Sequence, residues 1–197
     1  MSMRGTGGAS TPPVAPSQPP LAVTAERLLH LSPSGKPAII SGLAGHFDRL
    51  AREQGITTRL RVCHFLAQAA HETDGFRTLR EYGGSAYFSR YEGRRDLGNS
   101  QAGDGIRYHG RGIFQLTGRG NYRRFGAILG VDLEAEPELA EAPDISLAVA
   151  FAYWRERRIN TAADADDVAG VTKLINGGRN GLAERARLLE VAKRVWV

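Results

Sequence analysis

The sequence predicts a mainly α-helical single domain. Apolar residues recur at helical spacing through most of the chain, glycines stop several of those patterns, and one long stretch, 75–118, has no sustained helical period. Residues 1–20, MSMRGTGGASTPPVAPSQPP, stand outside that domain. They are almost entirely Gly, Ser, Thr, Ala and Pro, which cannot bury enough apolar area to offset ordering entropy, so a disordered tail is expected there. One domain is expected over 21–197.

Within it, a short helix is expected over 24–31, starting at Thr24. Residues 37–53 place Ile39, Ile40, Leu43, Phe47 and Leu50 on one helical face, and Gly55 ends the pattern. The next helix spans 58–74 and stops at Gly75. From 75 to 118 the chain is rich in Gly, Tyr and Arg, too long for an ordinary connection, and therefore a place to look for function. Tyr108 to Thr117 is expected to add one or two short strands. Helices resume over 119–130, 144–157, 164–175 and 181–196, with Gly177-Gly178 as a stop and Asn180 as an N-cap.

Composition narrows the class. The 197 residues are 42% hydrophobic and 24% charged, ordinary for a soluble globular protein, and the net charge of +5 favours acidic polymers as partners. Nucleic acid is disfavoured, because the basic residues are interleaved with acids and no nucleic-acid-binding motif is evident. No apolar run is long enough for stable membrane insertion, and the N-terminus lacks the order of a secretory signal. Cys63 is the one cysteine, so no internal disulfide forms, and it reads as a small buried hydrophobe. A monomer is expected.

The segment TRLRVCHFLAQAAHETDG carries the first chemical signal. At 100° per residue, Val62, Cys63, Leu66, Ala67, Ala69 and Ala70 cover most of the circumference, while Arg61, His64, Gln68, His71 and Glu72 share a narrow polar arc. Such a helix is largely buried, so the arc is expected to face an internal cleft. Burial and the negative end of the helix dipole both favour the protonated form of a carboxyl at its end. A carboxyl that keeps its proton near neutral pH can serve as a general acid. The bland alternative is that Glu72 binds an arginine or caps a loop. His64 and His71 lie seven apart, but without HExxH or a cysteine cluster no metal site is expected. His71 reads as a hydrogen-bonded residue that orients the turn after Glu72. The glycines of GRGNY and GGRNG match no phosphate loop and read as tight turns beside a substrate channel.

The run AHETDGF, then YFSRYEGR, then GDGIRYHGRGIFQLTGRGNY, and finally TKLINGGRNGLAERARL, resembles glycoside hydrolase family 19, the chitinases and related bacteriophage endolysins. The blocks occur in the family's order over most of residues 60–190. The resemblance implies a lysozyme-like two-lobed helical domain with a small β-hairpin beside the cleft, and inverting hydrolysis with no cofactor and no metal. It makes Glu72 of the HET motif the general acid. Glu92 of YEGR is the preferred second carboxylate, with Glu81 as its competitor; an inverting pair needs roughly 6.5–9.5 Å between carboxyls, and a flexible loop reaches across a cleft easily. The resemblance also implies that Thr117 positions the attacking water. It assigns substrate contacts to His71, Tyr108, Gln115, Asn121, Asn176 and Arg185. Tyr82, Tyr87, Phe88, Tyr91 and Tyr108 offer flat faces for sugar rings, about half of them being expected in the core instead.

Plant-type cysteines are absent, which together with the charge points to the endolysin branch. The implied substrate is then bacterial peptidoglycan, cleaved at β-1,4 bonds after synthesis in a host cytoplasm and release by a holin or similar route. A chitinase of the same family is the alternative reading, and a non-catalytic glycan-binding module the next. A lytic transglycosylase, which uses one glutamate, fits less well beside a second carboxylate.

Overall fold

The computed structural model describes residues 21–197, so the expected tail over 1–20 lies outside the described residues. Ten helices follow in order: α1 (Ala25–Leu31), α2 (Pro37–Glu53), α3 (Arg59–Glu72), α4 (Ser85–Phe88), α5 (Asp104–Arg107), α6 (Arg119–Leu129), α7 (Pro143–Glu156), α8 (Asn160–Asp164), α9 (Val168–Asn176) and α10 (Leu182–Val195). Side-chain caps set several starts: Thr24 Oγ1 accepts from Arg27 N at 3.2 Å, and Asp167 Oδ1 from Gly170 N at 2.8 Å. Gly177, at φ +77°, closes α9 as expected.

Three expectations are corrected. The helix expected over 164–175 begins only at Val168, because Asp166 takes φ +55° and Asp167 caps a fresh start, and α8 lies before it where no helix was expected. Gly181, not Asn180, precedes α10 as its cap; the Asn180 carbonyl instead accepts from Arg185 Nε and Asn176 Nδ2, both at 3.0 Å. The expected β-hairpin is absent among the described residues. Only the isolated bridges Arg80 to Arg111 and Arg111 to Leu116 form, since the backbone folds back on itself at once instead of running extended.

Two apolar clusters organise the molecule. The larger wraps α1, α2, α7 and α10 around α3, with Phe65 fully buried at 4.5 Å from the Phe151 ring and 5.6 Å from that of Phe47. The smaller gathers Tyr108, Leu116, Tyr122, Phe125, Leu133 and Ala140 near α6. Helix α7 serves both, sending Phe151 and Trp154 to the first and Val149 and Ala152 to the second. A helix with buried residues on nearly all sides must be apolar nearly all round, as the α7 sequence is.

The 75–118 segment is held by buried polar side chains instead of a ladder. Asp104, almost wholly buried, accepts from the amides of Ser100 and Gln101 and pairs with Arg119 at 2.5 Å. Asn99 ties the Tyr91 carbonyl to the Arg119 amide at 2.9 and 2.8 Å. Each bond satisfies a backbone group that regular structure would otherwise pair.

Candidate active site

The polar arc of α3 faces other helices along most of its length, contrary to the expected cleft. Arg61 pairs with Asp164 at 2.5 Å, and His64 Nε2 lies 2.9 Å from Asp166 Oδ1, whose other oxygen takes Lys193 Nζ at 2.6 Å. Burial pushes His64 below the usual histidine range, which leaves its ring neutral in this interface. Gln68 is buried and donates to Thr172 Oγ1 at 3.3 Å. Only the last turn emerges.

There, Arg185 of α10 donates Nη2 to Glu72 Oε1 at 2.5 Å and Nη1 to Gln68 Oε1. The resemblance assigned Arg185 to the cleft, and its guanidinium stands against the proposed acid. Its side chain is 3% exposed and that of Glu72 is 19% exposed, so the arginine is internal while the carboxyl reaches solvent. Glu72 Oε2 makes no protein hydrogen bond among the described residues and is the oxygen free to meet a ligand. His71, expected both as a substrate contact and as a hydrogen-bonded orienting residue, is engaged with α10. Its Nδ1 lies 2.9 Å from Glu184 Oε2, and its ring occupies the space that a Cβ at Gly181 (φ +70°) would take. It docks α10 onto α3 and so sets Arg185.

The second wall is built on Gly110. The Glu81 amide donates to the Gly110 carbonyl and the Gly110 amide returns a bond to Glu81 Oε2, both at 2.9 Å. Glu81 Oε1 accepts from Arg90 Nη2 and from the Tyr91 hydroxyl, each at 2.7 Å. A Cβ at Gly110 would lie 3.0 Å from Glu81 Oε2 and collide with Gln115 Oε1, so glycine is required for these side chains to converge. Gln115 itself holds φ +51°, a strained conformation for a residue with a side chain, fixed by its Nε2 bond to the Gly112 carbonyl at 3.0 Å.

Gln115, Thr117 and Asn121 line one cavity of about 310 Å³ with Phe114 and Tyr153. Thr117 Oγ1 donates to the Gln115 carbonyl at 3.1 Å, and Asn121 Nδ2 to the Thr117 carbonyl at 2.7 Å. Tyr153 donates to the Ile175 carbonyl at 2.7 Å, and its hydroxyl is raised above the usual tyrosine range by burial, which the charge of Arg157 opposes and that of Glu72 reinforces more weakly. Neither Glu72 nor Glu81 lines this cavity, but Glu81 approaches it through Gln115, since Glu81 Oε2 and Gln115 Oε1 both crowd the place of a Gly110 Cβ.

Glu92 does not. Its oxygens accept from the amides of Gly103 at 2.8 Å and Gly105 at 2.9 Å, so it closes the start of α5. The loop reaches Glu92 only to return it to its own backbone. Tyr108 is also corrected: it is buried in the smaller core, with its hydroxyl on the Glu134 carbonyl at 2.9 Å. Phe88 is buried too, stacked on His109 at 4.2 Å. Tyr82 and Tyr87 are exposed, and Arg90 lies 3.7 Å above the Tyr87 ring. Asn176 spends its amide on the 176–180 turn, accepting from the Gly178 amide at 2.8 Å. The sequence reading missed Arg90 as a partner of Glu81, and it missed Tyr153. The arginine was one of many in its segment, while Tyr153 lies inside an otherwise apolar helix and shows no separate signal.

Two carboxyls, Glu72 and Glu81, with the amide side chains of Gln115 and Asn121 and an ordered Thr117, on a helical scaffold with two clusters, are the groups that a glycan-cleaving hydrolase needs. The fold matches that of chitinase C from Streptomyces griseus, with a TM-score of 0.72 at 20% identity over 89% of this chain and 93% of that one. The family profile described as chitinase class I matches residues 39–178. A glycosyl hydrolase family 19 domain-containing protein of Haemophilus influenzae is 31% identical over 180 residues, covering 77% of this chain and 88% of that protein. Endochitinase 1 of Theobroma cacao is 32% identical over 79% of this chain, which spans 61% of the plant protein's length. The chain belongs to glycoside hydrolase family 19. Its substrate is a carbohydrate polymer. No helix among the described residues is long and apolar enough to cross a membrane.

Proposed function

We propose that this chain hydrolyses β-1,4 bonds in polymers of N-acetylglucosamine with inversion, using Glu72 as general acid and Glu81 as general base. The observation that carries the pairing is the shared contact at Gly110, which sets Glu81 beside Gln115 while Glu92 is held at the start of α5. Glu72 Oε2 delivers the proton to the leaving oxygen. Three donors fix the orientation of Glu81, and one of the roughly four acceptor positions of a carboxylate remains, on Oε2, for the attacking water. Thr117, whose hydroxyl proton is spent on the Gln115 carbonyl, offers its lone pairs to the same water. The amides of Gln115 and Asn121 suit N-acetyl groups.

Chitin is the first substrate proposed, because curated relatives with a named activity are endochitinases. Peptidoglycan is the second reading, favoured by the net charge of +5, which suits an anionic wall. The test is anomeric analysis by NMR during digestion of a chitin hexamer. Inversion of a β bond releases the α-anomer first, and Glu72→Gln lowers the rate by about 10²–10⁴. Release of the β-anomer would contradict the pairing. Digestion of purified peptidoglycan in parallel separates the two substrates, and a hydrolytic product with a reducing end distinguishes hydrolysis from an anhydro-sugar-forming lyase.

A further inference from the structure

The cavity that holds Gln115, Thr117 and Asn121 continues onto a wall built by α6, the end of α7 and the residue after it. Arg124 and Glu156 face each other there at 2.7 Å and cancel in charge. Arg157 has no acidic partner among the described residues. Its guanidinium lies 4.5 Å from the centre of the Tyr153 ring, and Nη1 donates to the Leu174 carbonyl at 3.1 Å. Nε and Nη2 make no protein hydrogen bond among the described residues, so one cationic edge is positioned and unused. Tyr153, the ring beneath it, is the residue that senses the charge of Glu72. The wall therefore carries one uncompensated positive charge in a cavity whose residue Gln115 converges with Glu81 on Gly110.

We propose that Arg157 is a specificity-determining residue that receives a carboxylate carried by a sugar bound in this cavity. Of the two substrates proposed above, Arg157 then favours the second, a polymer with an acid-bearing amino sugar beside N-acetylglucosamine, as in peptidoglycan stripped of its peptides. This rests on the hydrolase reading above. A neutral N-acetylglucosamine ring offers a guanidinium only uncharged oxygen acceptors, whereas a carboxylate meets its planar edge with stronger, charge-assisted hydrogen bonds. Stacking on Tyr153 and the Leu174 carbonyl hold the guanidinium before the ligand arrives, which reduces the ordering cost of binding.

The test compares kcat/KM on three substrates: a neutral chitin hexamer, peptide-free glycan strands bearing lactyl carboxylates, and the same strands with those carboxylates amidated. The wild type is expected to favour the acidic strands over the amidated ones by about tenfold, in the range of a hydrogen bond to a charged group. Arg157→Gln removes that ratio, Arg157→Glu inverts it, and Arg157→Lys keeps much of it. The inference is overturned if the wild type cleaves the hexamer but Arg157→Gln lowers all three substrates alike, or none. If the wild type cleaves no polymer, the hydrolase reading itself falls, a different outcome from the first.

Discussion

Helix α3 is largely buried while the segment 75–118 is largely exposed and anchored at a few buried points, and the two are held by opposite means. Around α3, Phe65 and Leu66 pack against rings and aliphatics of four helices, and the stabilisation is area removed from water. Across 75–118, Asp104, Asn99 and Glu81 pin turns through backbone amides and arginines. An apolar core is tolerant of direction and strict about volume, while a polar hub is strict about geometry. The comparison explains the division of labour. One region supplies the platform for Glu72 and the other aims Glu81.

The largest effects should come from breaking each region in its own currency. Phe65→Ala is expected to cost about 3–5 kcal/mol in chemical denaturation, through lost transfer energy and a cavity beside Phe47, Phe151 and Trp154. Asp104→Ala should cost a comparable ~3–5 kcal/mol, because it takes the acceptor from two amides and the buried carboxylate from the Arg119 guanidinium, which keeps only Glu134 as an acidic partner. If Asp104→Ala cost no more than an exposed ion pair, the contrast between the regions would dissolve. Gly110→Ala should leave the fold and lower activity by about 10²-fold, since a Cβ there displaces the Gln115 amide and crowds Glu81.

Acid separates the regions further. The Arg119 guanidinium holds Asp104 below its usual range, and Arg123 with Arg119 pulls Glu134 down to about 2. Because these folded-state values are depressed, their stabilisation is complete above the ordinary carboxylate range and is lost as pH falls toward about 2. Melting temperature should therefore drop between pH 5 and 2, and drop less steeply in Asp104→Asn. The smallest effect is expected from Tyr91→Phe, which deletes one of three donors to Glu81 and should lower kcat a few-fold with little change in melting temperature.

The same contrast decides what could be read from the sequence. Helical periodicity placed α1, α2, α3, α6, α7 and α10 within a residue or two, because burial writes itself as spacing. It missed α8 and started α9 too early, since the break lies in the positive φ of Asp166 and leaves no mark on the apolar pattern. The polar arc on α3 was legible, but not its destination: His64 and Arg61 meet Asp166 and Asp164 from a distant part of the chain. Glu72 pairs with Arg185, the arginine contact that the bland reading of Glu72 allowed and that spacing could not assign to a partner. Glu81 and Glu92 were both visible, and the choice between them was not, because it depends on which backbone amides each carboxylate finds. Tyr108 was misplaced for a related reason: an aromatic in a polar segment can belong to a small core as readily as to a cleft.

The central claim is that Glu81 and not Glu92 completes the pair with Glu72. It is tested most directly by measuring hydrolysis of one soluble substrate by Glu81→Gln and Glu92→Gln side by side, with melting temperatures for both. The account predicts a loss of at least 10²-fold for Glu81→Gln at near-native stability. For Glu92→Gln it predicts activity within a few-fold and a lower melting temperature, as expected for a weakened cap. Abolished activity in Glu92→Gln at unchanged stability, with Glu81→Gln still active, would contradict it.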